Sequence, residues 1–260
     1  MKIYVLCDLE GTAGVVDFEK QSYSDAKYNE QAKRLATLEI NALVDGALAG
    51  GAKEIIVLDG HGSGGLDIEK VHIEAKVMMG RPISAPWEMD KSVDALFLYG
   101  HHAMANTEKG VLCHSWSSRT IANCWLNSEL VGEIGFNMAI AGSLGIPTVF
   151  ISGDEAAIAE ARRYAPGIGS VIVKWGVSRT SAITLAPMKA RQLIQEGATR
   201  AMSKIGSIPP VTINPPYEFK TEYLEEQSAE SKAKRSDVER LDARTVRIVA
   251  ETLIDLARRR

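Results

Sequence analysis

Short apolar runs alternate along the chain with amphipathic stretches of helical length. The first run, Lys2–Cys7, is rich in β-branched and aromatic residues and too short for a typical helix, so it predicts a buried strand. A long helical pattern at about Ala26–Ala49 follows it and ends at the glycine pair 50–51. Apolar runs at Glu54–Leu58 and Ala95–Tyr99 have the same character as the first run. This alternation is typical of β-α-β units.

Later parts of the chain continue the same alternation. The predicted elements are a short strand at Ala75–Met79, a strand at Thr120–Leu126, a helix at about Val131–Leu144, a strand at Thr148–Ile151, a helix at about Glu155–Tyr164, a strand at Ser170–Lys174 and a helix at Pro187–Ile205. We therefore predict an α/β fold with an open, mostly parallel sheet that is flanked by helices.

The composition of the chain changes at the proline pair 209–210. Beyond this pair the pattern predicts a proline-bearing strand at Val211–Phe219, a charged stretch at Glu222–Arg240, a strand at Thr245–Val249 and a terminal helix. We therefore predict an α/β domain at 1–209, which carries the candidate site, and a small appended α+β subdomain at 210–260.

Three of the predicted strands end in polar, glycine-rich turns. Asp8 and Glu10 follow the first strand, His61 follows the second, and His102 follows the run at Ala95–Tyr99. In an open parallel sheet, ligands bind outside the carboxyl ends of the strands, near the point where the strand order reverses. We therefore expect these four side chains to lie along one edge of the sheet.

The two carboxylates after the first strand are spaced two residues apart. In an extended strand, Asp8 and Glu10 would therefore point to the same side. Neighbouring carboxylates repel each other, and a proton on one of them or a bound cation relieves that repulsion. Divalent metal ions take carboxylate oxygens as ligands. The spacing favours a metal site or an acid-base site at the end of this strand.

Composition and charge exclude several classes of partner. The 260 residues, of which 45% are apolar, can bury the core of one large domain or of a domain with an appendage. A net charge of -3 and a pI near 6.0 argue against a nucleic-acid-binding surface. The sequence contains neither an apolar run of membrane-spanning length nor a secretory leader pattern, so we expect no membrane partner and a cytoplasmic location.

Residue types that bind metal ions recur at the predicted strand ends. Together with a glutamate at the start of a predicted helix, they give a set of two histidines and three carboxylates: Asp8, Glu10, His61, His102 and Glu133. A mixed set of this kind suits zinc or manganese better than magnesium or calcium, which prefer oxygen ligands. Five ligands exceed one tetrahedral zinc site. A pair of metal ions bridged by one carboxylate would use them all, and such pairs activate water for hydrolysis.

Two other interpretations remain open at this point. The run Asp8-Leu9-Glu10-Gly11-Thr12 resembles the opening motif of haloacid-dehalogenase-type magnesium phosphatases, in which Asp8 would be the nucleophile. That interpretation leaves the strand-end histidines without a role. The other is a small-molecule or metal-binding module that holds a structural ion. Structural zinc sites are usually rich in thiolates, and this set has none.

Several short motifs match a known family when they are taken together. In chain order they are Asp8-Leu9-Glu10-Gly11 with Gly14, Asp59-Gly60-His61-Gly62, Gly100-His101-His102-Ala103, His114-Ser115, Val131-Gly132-Glu133-Ile134-Gly135-Phe136-Asn137, Gly153-Asp154, and Lys174 followed by Ser178-Arg179. Each motif is weak alone, but the joint order over nearly the whole chain is specific. In this order the motifs resemble the D-aminopeptidases of the DppA type, peptidase family M55.

The resemblance implies a zinc-dependent aminopeptidase that acts on short peptides with an N-terminal D-residue. It implies that Asp8 bridges two zinc ions. Glu10 and His102 would complete the ligands of one ion, and His61 and Glu133 would complete those of the other.

The resemblance also implies a role for His114 and an assembly of several copies of the chain. His114 would be the catalytic residue outside the metal ligands, where a histidine can donate a proton to the leaving amine or a hydrogen bond to the oxyanion. Members of the family form ring-like homo-oligomers, so we expect a ring-like homo-oligomer here, with a decamer as a candidate size.

Overall fold

The computed structural model of the chain describes residues 1–260 and contains two β-sheets. The larger sheet has seven strands, and all of its neighbouring pairs run parallel except the last. In spatial order its strands are β3 (Ala75–Met78), β2 (Glu54–Asp59), β1 (Lys2–Cys7), β4 (Ala95–His101), β7 (Thr148–Asp154), β8 (Gly169–Ser178) and β9 (Ser181–Thr184). The predicted fold class, a mostly parallel α/β sheet flanked by helices, is confirmed.

The smaller sheet is antiparallel and draws its strands from two separate parts of the chain. In spatial order they are β11 (Glu239–Arg240), β12 (Thr245–Ala250), β10 (Tyr217–Tyr223), β5 (Ile121–Leu126) and β6 (Glu129–Leu130). The C-terminal segment therefore completes a sheet that begins at Ile121. The division into domains at 1–209 and 210–260 stays a prediction.

Six α-helices and two shorter helical turns connect the strands. The helices are α1 (Asn29–Ala49), α2 (Glu133–Ser143), α3 (Glu155–Tyr164), α4 (Pro187–Met202), α5 (Glu226–Lys232) and α6 (Leu253–Arg259), with a π-helical turn at Phe18–Ser22 and a 3-10 turn at Ile68–Lys70. Helix α1 packs against α4, and α2 packs against α3 and α6. None of the helices is long and apolar enough to cross a membrane.

Several element boundaries differ from the predicted ones. The predicted strand at Val211–Phe219 begins only at Tyr217, because the two prolines before it lack the amide donors that a strand ladder needs. The predicted strand at Ser170–Lys174 is longer in the structure, where β8 continues to Ser178 and turns into β9. The predicted charged stretch contains α5. This helix has only seven residues, too few for a helical pattern to be recognised in the sequence.

The strand order reverses beside β1, which is apolar from Ile3 to Cys7. Residues Ile3–Cys7 are buried, as expected for a central parallel strand covered on both faces. Strand β1 lies between β2 and β4. The chain adds β2 and β3 on one side of β1 and then crosses back to place β4 on the other side. This reversal places the carboxyl ends of β1 and β4 at the crevice where α/β sheets bind ligands.

The backbones at the ends of β1 and β4 touch. The amide of Asp8 donates to the carbonyl of Tyr99 at 2.9 Å, and the amide of Gly11 donates to the carbonyl of Gly100 at 2.6 Å. A Cβ on Gly11 would overlap the carbonyl oxygen of His101. Gly100 has a φ of 67°, and a Cβ there would overlap the carbonyl oxygen of Asp8. Both glycines are thus required for the two strand ends to meet.

We predict that Gly11→Ala lowers the free energy of unfolding by about 1–3 kcal/mol, because the methyl group would collide with backbone of β4 that cannot rotate away. Denaturant unfolding measures this change as a lower midpoint with an unchanged slope. Gly62→Ala is the matched control, since a methyl group there meets no atom within 4 Å. Equal midpoints for the two variants would contradict the steric argument.

Candidate metal centre

The two carboxylates after β1 converge on His61. Atom Nδ1 of His61 lies 3.2 Å from Oδ1 of Asp8 and 3.1 Å from Oε2 of Glu10. Asp8 and Glu10 are both buried, and the amide of Leu9 donates to Oδ1 of Asp8 at 2.8 Å. The turn that follows β1 therefore keeps the two acids on one side, as their spacing predicts.

The short turn Phe18–Ser22 holds this first cluster in place. The hydroxyl of Ser22 donates to Oε1 of Glu10 at 2.6 Å, and its carbonyl lies 3.0 Å from Nε2 of His61. With Nε2 bonded to the carbonyl, His61 presents Nδ1 to the carboxylates. Sequence reasoning missed Ser22 because nothing in the local pattern marks a π-helical turn, although such turns are frequent at functional sites.

The second cluster forms around His102, which follows β4. Atom Nδ1 of His102 donates to the carbonyl of Ala103 at 2.9 Å, so Nε2 faces Oδ2 of Asp8 at 3.3 Å and Oε1 of Glu133 at 3.5 Å. Glu133 is the first residue of α2, and its Oε1 accepts the amide of Trp116 at 2.8 Å. Trp116 adopts a left-handed backbone with a φ of 57°.

His114 lies against the second cluster. Its ring stacks on that of His102, with centroids 3.9 Å apart, and makes an edge-to-face contact with the ring of Phe18 at 5.4 Å between centroids. Atom Nδ1 of His114 lies 2.9 Å from the carbonyl of Leu112, which leaves Nε2 unbonded and 4.0 Å from Oε1 of Glu133. His114 is therefore close enough to the predicted ligands to act on anything they hold.

All six site residues predicted from the sequence thus meet in one place. Their ligand atoms form two groups, and within each group the atoms lie within 4.8 Å of one another: Asp8, Glu10 and His61 in one, and His102, His114 and Glu133 in the other. One oxygen of Asp8 faces each group. This grouping differs from the pairing that the family resemblance implied, since Glu10 lies with His61, and Glu133 lies with His102.

The charges of the site balance carboxylates against imidazoles. Burial alone would raise the pKa of Glu10, but His61 more than offsets this and holds it well below its usual value. Burial would likewise lower the pKa of His61 and of His102, yet the neighbouring carboxylates raise both well above the ordinary range. The pKa of Glu133 falls to about 2 in spite of its burial, chiefly through His102. The centre of the site therefore favours positive charge.

The donor set fits a pair of transition-metal ions. Oxygen and imidazole donors together suit zinc and its neighbours in the first row. Atom Oε2 of Glu10 is buried and has no hydrogen-bond partner, because its 3.1 Å contact with His61 falls outside hydrogen-bond geometry. A buried carboxylate oxygen without a donor is costly unless a cation satisfies it. The three imidazoles each have one ring nitrogen bonded to a backbone carbonyl, the usual arrangement for metal-bound histidines.

A buried lysine supports the turn that carries Glu10. Lys174 in β8 is fully buried, and its ammonium group donates to the backbone carbonyls of Glu10, Thr12 and Val15. Burial lowers the pKa of this group to about 8, while Asp154 favours its charged form. Three carbonyls of the loop after β1 are therefore directed at one buried cation.

Two cavities meet at the clusters. A cleft of about 450 Å³ is walled by residues 22–25, 60–63 and 116–119, and both clusters contribute to its floor. A smaller cavity of about 130 Å³ shares Asp8, Trp116 and Glu133 with the cleft. His101 is buried, bonds its own strand through Nδ1 and lines only the smaller cavity, so it lies outside both ligand groups.

Comparison with known proteins identifies relatives over nearly the whole chain. The family model of the D-aminopeptidases, peptidase M55, matches residues 1–259. A D-aminopeptidase of Bacillus subtilis (strain 168) is 31% identical over 220 residues, which cover 82% of this chain and 77% of the relative. The solved structure of the Zn-dependent D-aminopeptidase DppA from Bacillus subtilis, a self-compartmentalizing protease, superposes with a TM-score of 0.94 at 26% identity and covers 100% of this chain and 95% of its own.

The family model and the structural match both cover the three strand ends and the helix start that carry the candidate ligands. The structural match also extends to the antiparallel sheet, because it covers all residues of the chain. With a family model that spans 259 of 260 residues, the chain belongs to the D-aminopeptidase family, peptidase family M55.

Proposed function

We propose that this chain is a zinc-dependent aminopeptidase that hydrolyses short peptides or aminoacyl amides with an N-terminal D-residue. The observation that carries the proposal is the pair of ligand groups joined by the two oxygens of Asp8 on the floor of an open cleft. The related structure is that of a Zn-dependent D-aminopeptidase, which supports both the metal and the reaction. The phosphatase alternative receives no support, since all three comparisons lead to D-aminopeptidases.

The proposed ligands are the five predicted from the sequence. Asp8, Glu10 and His61 would hold one ion, and His102 and Glu133 would hold the second together with the other oxygen of Asp8. When bound, zinc supplies Lewis-acid polarisation of the peptide carbonyl and lowers the pKa of water. The chain's own groups orient these ligands: the Ser22 hydroxyl, the backbone carbonyls bonded to the imidazoles and the Trp116 amide.

We assign proton transfer to His114. Burial lowers the pKa of His114, which favours the neutral imidazole that a proton acceptor needs. Its Nδ1 hydrogen bond to the carbonyl of Leu112 places the free lone pair on Nε2, which faces the cleft. At this position Nε2 takes a proton from the attacking water and returns it to the leaving amine.

Assembly and location are further parts of the proposal. The related Bacillus subtilis enzyme is described as self-compartmentalizing, which supports a ring-like homo-oligomer of this chain that limits access to short peptides, with a decamer as a candidate size. The cytoplasmic location rests on the sequence pattern alone. The preference for a D-residue rests on the family.

A panel of substrates tests the reaction. We expect zinc-loaded protein to hydrolyse D-aminoacyl amides faster than their L-counterparts and to leave phosphate monoesters intact. Release of the amine is the measurement. Efficient hydrolysis of phosphate monoesters without hydrolysis of any aminoacyl amide would overturn the peptidase assignment.

Metal analysis tests the ligand set. Wild-type protein should hold about two equivalents of zinc per chain, as expected for a two-metal site. Asp8→Ala should weaken zinc binding by at least about 100-fold, because both groups lose a ligand oxygen at once. Competition with a chelator measures the affinity. Asp25→Ala is the control, since Asp25 is an exposed acid of the cleft wall outside both groups.

The histidine pair of the second cluster separates catalysis from metal binding. His114→Ala should keep its zinc content while turnover falls by about 10²- to 10⁴-fold, the usual effect of losing one acid-base group. His102→Ala should lose zinc and turnover together. Zinc content and kcat are measured on the same preparations. Near-normal turnover of His114→Ala at full zinc occupancy would show that His114 transfers no proton.

A further inference from the structure

A single peptide bond connects two residues of the second cluster. The carbonyl of Ala103 accepts a hydrogen bond from Nδ1 of His102 at 2.9 Å, and it also accepts the backbone amide of His114 at 3.2 Å. The direction of this carbonyl therefore determines the orientation of the His102 ring and the position of the His114 backbone. The amide at the other end of the same peptide bond belongs to Met104.

Glu160 of α3 holds this peptide bond from its other side. Its Oε2 accepts the amide of Met104 at 2.7 Å, and the side chain is buried. Because a peptide group is planar, fixing its N–H also fixes the direction of its C=O. The carboxyl group of Glu160 is thus linked to the imidazole of His102 through two hydrogen bonds and one peptide group.

The same carboxyl group lies against the start of α2. Its Oε1 is buried without a hydrogen bond, and a Cβ on Gly132 would come within 2.7 Å of this oxygen and within 2.5 Å of the Cβ of Met104. A glycine at position 132 is therefore required for the close approach of these segments. Glu133 is the next residue. Glu160 thus contacts the backbone beside both proposed ligands of the second cluster, His102 and Glu133.

Helix α3 also supports the loop that carries His114. One oxygen of Asp154 caps this helix, and the other accepts the amide of Val111 at 2.9 Å. A helix that supplies no proposed metal ligand therefore holds the segments of all three residues of the second cluster. The first cluster has separate supports, which are the hydroxyl of Ser22 and the ammonium group of Lys174.

We propose that Glu160 is a positioning residue that tunes the affinity of the second metal ion without changing that of the first. The inference rests on the proposed function in that it takes His102 and Glu133 to bind zinc. Hydrogen-bond partners of metal-bound histidines fix the ring and raise its basicity, and loss of such a partner weakens metal binding by about 10- to 100-fold. Since a peptide group lies between Glu160 and His102, we expect the lower end of this range, about 10-fold.

Competition of zinc-loaded protein with a chelator tests this role. Wild-type protein should show two zinc dissociation constants, and Glu160→Ala should raise one of them by about 10-fold and leave the other unchanged. Glu160→Met should act like Glu160→Ala, because it keeps the length of the side chain but accepts no amide. Glu160→Gln should keep both constants close to their wild-type values, because its amide oxygen still accepts the Met104 amide.

Glu155→Ala is the matched control. It removes an exposed acid from the first turn of the same helix, so both dissociation constants should be unchanged. If Glu160→Gln weakens zinc binding as much as Glu160→Ala does, the hydrogen bond to Met104 is not the cause and the positioning role is wrong.

Double variants identify the ion concerned. His61→Ala removes a ligand of the first cluster only, so adding Glu160→Ala should weaken the remaining zinc site by the same factor of about 10. His102→Ala already loses the second ion, so adding Glu160→Ala should leave the remaining site unchanged. Weakening in the His102→Ala background, or equal weakening of both sites in otherwise wild-type protein, would assign Glu160 a general structural role and overturn the proposal.

These measurements keep the inference separate from the reaction, because they record zinc affinity rather than turnover. If zinc-loaded wild-type protein hydrolyses no peptide or aminoacyl amide, the proposed function fails, and the dissociation constants still decide the role of Glu160. If it hydrolyses them while Glu160→Ala leaves both constants unchanged, the proposed function stands and the positioning role is wrong.

Discussion

The buried ammonium group of Lys174 determines the shape of the turn on which the whole site depends. Three backbone carbonyls of the turn after β1 point at this one cation, so the turn has a fixed centre in a region that contains no regular secondary structure. Desolvating an ammonium group is unfavourable, and Asp154 and Glu39 lie near enough to favour its charge. Glu10 is held through its own carbonyl, while its side chain remains available to the site.

The position of the strand ends then determines what the site can bind. Because the backbones of β1 and β4 touch through Gly11 and Gly100, Asp8 is brought between the imidazoles of His61 and His102. An aspartate placed in this way presents one oxygen to each side. The acids are too close to be ionised together without positive charge between them, which protons on the imidazoles or metal ions provide.

The sequence was sufficient to predict that the candidate ligands lie close together, because the strand ends of an open parallel sheet converge and apolar runs reveal the strands. It could not predict the grouping of Glu10 with His61, since that depends on the curvature of the turn after β1. Ser22 and Trp116 act in part through backbone groups, which every residue has and no pattern reveals.

The segment from Ser22 to Asp25 serves two purposes at once, because Ser22 bonds to Glu10 and His61 while the next three residues form a wall of the cleft. The same short segment of backbone therefore contacts both the candidate metal ligands and any molecule bound in the cleft. By thermodynamic linkage, a substrate that stabilises this wall strengthens metal retention by the same factor by which the metal strengthens substrate binding. An enzyme in which a bound peptide stabilised this wall would hold its metal more firmly with the peptide bound than without it.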